Sequence, residues 1–478
     1  MNPYLIRRIV RLCLSVGLIL FVIFRGHKRS SAITVFWCLV FALNPYVGLV
    51  LYLIFGSTTP IRLAARRHRI RLYERGYRML YDRVADRPMG LMDGELSPMA
   101  ESLAKFNYNY CHAPISRYGS QHIYTDGASH YRQLFEDIER AEETVHVLFY
   151  EVENDYVGKE FMDMLADKAK EGVEVLFMTD AMTGRWHVAK FARRLRKNGG
   201  KVRLVRMNLT HFRNHRKIVV VDHRIAWIGG MNIGKRFQNE DKVKTPWRDT
   251  QIRLTGDAAD ELDACFFIDW FCNIPISWLE QADRSAEHLL AHLPEEGDKP
   301  CQFITGGPAS THETVKMTYL SMITAARSSI QIQSPYFIPD ESIFDALRCA
   351  AASGVRVEIM VPGVPPNAFL EAANRYYCGR IMLCGAHVYR YHGYLHAKTM
   401  TVDGEACAIG SANMDYRSLF LDDEITGVFY GAEVPEAYTQ QFAEDRRHCT
   451  EADSQEFSHR TRGERLKQAF CRVFEYLY

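Results

Sequence analysis

At 478 residues the chain is long for one hydrophobic core, so two domains plus additional segments is the expectation from size alone. Its 59 basic and 57 acidic side chains leave a formal net charge of +2, which excludes the strongly basic balance typical of nucleic-acid binders. The 12 cysteines include no Cys-x-x-Cys pair, which excludes a zinc ribbon or a thioredoxin-type motif, and their mostly apolar neighbourhoods point to buried free thiols in a reducing compartment.

The N-terminus carries two apolar runs. Residues 12 to 24, LCLSVGLILFVIF, follow Arg7, Arg8 and Arg11. After RGHKRSS comes a second run at residues 32 to 55. As one helix it would cross a hydrocarbon layer of about 30 Å at about 1.5 Å per residue. The first run spans only from near Ile9, with Arg11 reaching back to the interface. A second apolar run so soon after the first argues against a cleaved signal peptide. Residues 1–57 are therefore expected to form a two-helix transmembrane hairpin. Three arginines precede it, and Arg62, Arg66, Arg67, Arg69, Arg71 and Arg75 follow it. Arg25, Lys28 and Arg29 in the intervening loop weaken that contrast without reversing it. Positive-inside reasoning then gives a multi-pass protein of the cell membrane with everything after the hairpin in the cytoplasm. Residues 58–114 read as a basic juxtamembrane linker, attractive to anionic headgroups by about 1 kcal/mol per near-surface charge.

From about residue 115 the pattern turns α/β. AEETVHVLFYEVEN reads as a buried strand, GKEFMDMLADKAKEG as an amphipathic helix and VEVLFMTD as a strand; the helix HVAKFARRLRKNGG and the strand KVRLVRM follow. Alternation at these lengths implies a largely parallel sheet with helices on its faces. The order returns in SSIQIQSPYF, ESIFDALRCAAASG, VRVEIMVPG and AHVYRY, a whole-domain repeat. The boundaries are placed at 115–283 and 302–478, with a polar linker at 284–301.

The repeat holds the strongest signal. Residues 214 to 232 read NHRKIVVVDHRIAWIGGMN and residues 396 to 413 read HAKTMTVDGEACAIGSAN. His215, Lys217, Asp222, Gly229 and Asn232 correspond to His396, Lys398, Asp403, Gly410 and Asn413 at identical spacings. One His-x-Lys-x4-Asp arises by chance often enough to carry little; two inside a repeat do not.

On a strand, residues i and i+2 share a face, so the histidine and lysine of each copy reach one spot. Each aspartate falls in the turn ending its strand, where it is expected to tie down neighbouring backbone or basic groups rather than to react. Gly229, Gly230, Gly410 and Ser411 are expected to let backbone approach an oxyanion, with Asn232 and Asn413 as amide donors. Two ammonium groups make this a poor metal site, and no metal or other cofactor is expected. The set suits a phosphodiester. Lysine and asparagine stabilise the oxygens of a pentavalent phosphorus, one imidazole attacks, and the other protonates the leaving alkoxide.

The doubled motif resembles the phospholipase D superfamily. The likeness to its bacterial cardiolipin synthases runs over nearly the whole chain, through IYTDG, NHRKIVVVD, GGMNIG, WRDTQIRLTG, SPYFIPD, LHAKTMTVD and NMDYRSLFL. That resemblance implies two pseudo-symmetric α-β-α sandwich domains enclosing one active site. It also implies metal-independent transfer of a phosphatidyl group between two phosphatidylglycerol molecules through a phosphatidyl-histidine, releasing glycerol. By the same resemblance His215 is the nucleophile and His396 the general acid and base, a distinction the spacing alone leaves open. Carried over likewise, Asp249 and Glu424 orient the imidazoles. A phospholipase D, or a transferase using another alcohol, would need the same histidines. A nuclease would too, but two apolar spans and balanced charge speak against a nucleic-acid partner. Lys235 and Asp422 depart from the family pattern, as does PGVPPNAFLEAANRYY, which bears on the acceptor rather than on the transfer. In the C-terminal segment Leu466, Phe470, Val473, Phe474 and Leu477 recur at helical spacing and are expected to dock on their own domain, with membrane contact as the alternative.

Overall fold

The computed structural model describes residues 3–25, 31–55, 94–205, 213–239, 246–272, 297–308, 310, 312–364 and 368–473. The chain divides into two units, Met1–Arg71 and Leu72–Tyr478.

The first unit holds α1 (Pro3–Arg25), α2 (Ser31–Leu43) and α3 (Pro45–Phe55). The second apolar run, expected as one helix, is thus two. Proline at position 45 has no N–H for the carbonyl of Phe41, and the Ser15 hydroxyl donates to that carbonyl instead, at 3.0 Å. The Asn44 side chain accepts the N–H groups of Tyr46 and Val47 and caps α3. The Arg11 guanidinium donates to the carbonyl of Leu43 at 2.7 Å, so α1 runs antiparallel to α2. The chain then doubles back. The rings of Trp37 and Tyr52 lie 4.9 Å apart, where a straight helix would hold them about 22 Å apart. Gly48 permits the close approach, because a Cβ there would meet the Phe41 ring at 2.8 Å. Among the described residues no helix is long and apolar enough to cross a membrane.

The second unit is mixed α/β and built on two sheets. The first has seven strands in the order Gln121–Tyr124, Gln251–Thr255, Ile225–Gly229, Ile218–Val221, Thr144–Phe149, Glu174–Asp180, Lys201–Val205. The second repeats this plan: Lys299–Gly306, Glu424–Tyr430, Ala406–Gly410, Thr399–Val402, Ser329–Gln333, Arg356–Pro362, His387–Tyr391, with a short strand added at each edge. The sheets are not largely parallel. Only Thr144–Phe149 with its two successors, and their counterparts, pair in parallel. The His-x-Lys strand returns at once through a tight turn at Asp222-His223 or Asp403-Gly404, which makes its partners antiparallel. Short turns can only give hairpins; the parallel pairs need the intervening helices.

Alternation along the strands sets the layers. Val145, Val147, Phe149, Val219 and Val221 face the helices Gly127–Glu139, Tyr156–Glu171 and Ala181–Lys197. Leu148, Ile218, Val220 and Ile228 face the opposite way, onto the helix Asp257–Cys272 and onto Cys407, Ile409, Ile425 and Phe429 of the second sheet. The two sheets therefore share a core, which sets the two motif strands toward each other.

The expected linkers need adjusting. Within the basic segment, Pro98–Cys111 is a helix that packs Leu103 and Ala104 into the core of the second sheet, with the Asn107 amide donating to the Tyr430 hydroxyl. The polar linker lies outside the described residues up to 296, and Lys299–Cys301 at its end already belongs to a strand. In the C-terminal helix Arg462–Val473, Cys471 is buried and Phe470 meets Phe369 edge-on, while Leu466 stays exposed; Phe474 and Leu477 lie outside the described residues. All 12 cysteines are free, but only five are buried.

Candidate active site

Each motif strand begins where the two halves meet. The N–H of His215 donates to the carbonyl of Asp423, and the N–H of His396 to that of Arg248. Each histidine backbone is thus held by the other half, and the side chains repeat the exchange. His215 Nδ1 lies 3.0 and 3.1 Å from the two carboxylate oxygens of Glu424 and 3.1 Å from the Ser411 carbonyl. His396 Nδ1 lies 2.5 Å from Asp249 Oδ2. Both carboxylates are fully buried, and both imidazoles keep Nε2 for chemistry. Asp249 and Glu424, the two acids carried over from the resemblance, thus each contact a motif histidine from the opposite domain.

The lysines converge on the same space. Lys217 and Lys398 are buried, and each ammonium donates to the carbonyl of its own motif histidine. Burial pushes the Lys217 ammonium down to about 7 and the Lys398 ammonium down to about 8; the charge of Lys398 adds to the effect on Lys217. Burial and the lysine charges hold His215 well below its ordinary value and His396 at about 3, so both imidazoles are neutral at rest. Each lysine acts on the histidine of the other motif, which makes this one pocket.

The two carboxylates differ. Burial lifts Glu424 to about 7 against the pull of Lys217 and a hydrogen bond from the Ser411 hydroxyl. For Asp249 burial also works upward, but Lys398 and His396 outweigh it and hold the group below the usual carboxylate range. Asp249 stands behind His396 as a full negative charge; Glu424 is a weaker one behind His215.

The glycines and Ser411 serve the carboxylates and neighbouring strands rather than an open oxyanion cradle. A Cβ on Gly230 would lie 2.2 Å from Asp249 Oδ1, and one on Gly229 or Gly410 would strike the carbonyl of Thr250 or Ile425 at 2.3 Å. Ser411 spends its hydroxyl on Glu424. Asn232 and Asn413 are buried, with 4% and 8% exposure, and each has a side-chain oxygen with no hydrogen-bond partner. Asp222 and Asp403 stand apart, at the far ends of their strands, about 16 Å from the lysines at ~3.3 Å per residue. Asp222 accepts the N–H groups of Glu142, Glu143 and Thr144; Asp403 accepts those of Arg327, Ser328 and Ser329. They pin strand to strand, in the left-handed backbone region at φ 50° and 54°.

Several neighbours escaped sequence reasoning. Trp247 and Tyr394 place their rings 4.9 and 5.9 Å from that of His396, and Tyr150 lies 5.0 Å from His215 and under the Lys217 ammonium. Trp247 and Tyr394 stand two residues before Asp249 and His396, a same-face spacing that was available as a signal. Arg216, between the motif histidine and lysine, is buried and joins Asp269 at 2.7 Å to the carbonyls of Glu424 and Gly306. Asp422 pairs with Arg417 at 2.6 Å, and the exposed Lys235 offers its N–H to Asp155.

Two pseudo-equivalent sheets, each sending a histidine and a lysine into one pocket, define a two-domain enzyme of phospholipase D type. The fold agrees with the crystal structure of phosphatidylserine synthase from Haemophilus influenzae Rd KW20, at a TM-score of 0.61 and 16% identity over 80% of this chain and 100% of that one. The family described as "Cardiolipin synthase, PLD-like domain" matches residues 134–242 and 319–446, and that described as "Phospholipase_D-nuclease N-terminal" matches residues 13–57. The chain is 32% identical to the major cardiolipin synthase ClsA of Bacillus subtilis (strain 168), over 96% of each chain. It is also 32% identical to the cardiolipin synthase of Geobacillus kaustophilus (strain HTA426), over 94% of this chain and 89% of that one. The chain belongs to the cardiolipin synthase family.

Proposed function

We propose that this chain makes cardiolipin by transferring a phosphatidyl group from one phosphatidylglycerol to another. The observation that carries the reading is the reciprocal lock: two imidazoles, each aimed by a carboxylate of the opposite half, beside two buried lysines. The Lys217 and Lys398 ammoniums, with the Asn232 and Asn413 amides, hold the non-bridging oxygens of the entering phosphodiester. His215 Nε2 attacks phosphorus, and the bond from phosphorus to the glycerol oxygen breaks. His396, which takes up a proton from solvent on Nε2 as the phosphodiester binds, gives that proton to the leaving oxygen, and glycerol leaves. The hydroxyl of a second phosphatidylglycerol then attacks the phosphatidyl-histidine, returns its proton to His396, and breaks the P–N bond.

The carboxylate asymmetry supports these roles. An acid must carry a proton, and the anionic Asp249 together with the bound phosphodiester restores the proton affinity that burial removes from His396. A nucleophile must stay neutral, and the weaker charge of Glu424 leaves His215 so. No step calls on a metal or other cofactor. The N-terminal unit anchors the enzyme in the cell membrane, with the catalytic unit on the cytoplasmic face, where the arginines after residue 60 meet anionic headgroups.

His396→Ala protein incubated with phosphatidylglycerol and quenched in denaturing detergent at neutral pH, which preserves the P–N bond, tests the assignment. The peptide bearing His215 is expected to gain the mass of a phosphatidyl group. Labelling of His396 in His215→Ala, with none on His215 in the reciprocal variant, would reverse the roles.

A further inference from the structure

The membrane reading leaves the path of the N-terminal unit open, and α2 and α3 carry an inference about it. We propose that residues 31–55 enter and leave the bilayer by the same face, as a re-entrant hairpin with Asn44-Pro45 at its tip. The occupant of its outer surface is lipid hydrocarbon. Val35, Phe36, Leu39, Leu43, Val47 and Val50 are each more than half exposed, the reverse of a water-soluble hairpin. No acidic residue precedes Glu74.

Length is the first argument. At 13 and 11 residues, α2 and α3 reach about 20 and 16 Å, well short of a layer of about 30 Å. The contact of Tyr52 with Trp37, edge to face, and with Phe41, with centroids 4.9 and 5.5 Å apart, fixes the fold-back rather than a gentle kink.

The tip is the second, independent argument. Irregular backbone survives at hydrocarbon depth only where its polar groups are satisfied by protein. Here the carbonyl orphaned by Pro45 is met by Ser15, the last carbonyl of α2 by Arg11, and the first N–H groups of α3 by Asn44. Arg11, awkward within a span, becomes the C-terminal cap of α2, where a cation is favoured by the helix dipole.

The test inserts one protease recognition sequence after Lys28 or after Ser57 in the full chain and exposes right-side-out and inverted membrane vesicles to the protease. Both sites are expected to be cut from the same face, in preparations that still make cardiolipin and resist alkaline extraction. Cutting from opposite faces, with the chain retained in the membrane, would overturn the re-entrant path and leave the anchoring intact. Release of the chain by alkaline extraction would instead sink the membrane reading itself. In Asn44→Leu/Pro45→Leu the helix becomes continuous, and the two sites are expected on opposite faces; an unchanged pattern would remove the break as the cause.

Discussion

Asp222 belongs to the signature motif, yet its carboxylate meets only backbone, and replacing it separates structure from chemistry. In Asp222→Ala three N–H groups, at 2.8 to 2.9 Å, lose a charged acceptor. Such bonds contribute roughly 1.5–3 kcal/mol each when shielded, and about 1 each at this partly solvated turn. Alanine held at φ 50° adds about 1 kcal/mol that aspartate largely avoids. The loss comes to about 4 kcal/mol, which at roughly 2–4 °C per kcal/mol lowers Tm by on the order of 10 °C. The lysines lie about 16 Å away along the strand, so kcat per folded molecule is expected to stay within about twofold. Thermal melts followed by near-ultraviolet dichroism, paired with turnover measured well below the transition, check both halves. An unchanged Tm with activity abolished would refute the reasoning and return Asp222 to the reaction.

Other expectations follow from the same geometry. Asp249→Asn removes the charge that orients His396 and is expected to lower kcat by on the order of 1,000-fold with little change in KM; a matching change in KM alone would contradict it. The lysines must be cationic to hold phosphate, and they are so below their values of about 7 and 8, so kcat/KM should fall as pH rises through that range. Lys217→Arg keeps its charge at any accessible pH, so the alkaline limb should move upward from about 7 toward the Lys398 value of about 8; an unmoved midpoint would remove Lys217 from that limb. Arg216→Ala removes the cationic partner of the buried Asp269, leaving it the Asn214 amide, and should cost about 3–5 kcal/mol, read as loss of folded protein on expression.

Much of this was legible in the chain. The repeat gave the six motif positions and both asparagines, and the strand-helix order read from the sequence matches the structure from Thr144 to Val205 and from Ser329 to Pro362, while the helix Ala368–Met382 before the strand His387–Tyr391 was not read. What escaped depends on contacts between distant segments. The antiparallel half of each sheet follows from turns at Asp222 and Asp403 that were read as strand ends, without their hairpin consequence. The glycines were assigned to an oxyanion because spacing cannot say which atom a missing Cβ makes room for; Asp249 fills that place at Gly230. Arg216 looked like a spacer because its partners, Asp269 and Gly306, lie far along the chain. In the N-terminal run the length was weighed and the Asn44-Pro45 break was not, although proline after asparagine is a local signal.

The central claim is that two half-sites make one phosphatidyltransferase, and the most direct measurement is of its products. Purified protein is incubated with phosphatidylglycerol alone, in detergent with a chelator, and the lipids are followed by mass spectrometry. Cardiolipin and glycerol should form in equal amounts, and multiple turnover of both should be lost in His215→Ala and in His396→Ala, the latter releasing at most one glycerol per enzyme. Phosphatidic acid in place of cardiolipin would show that water is the acceptor and contradict the account.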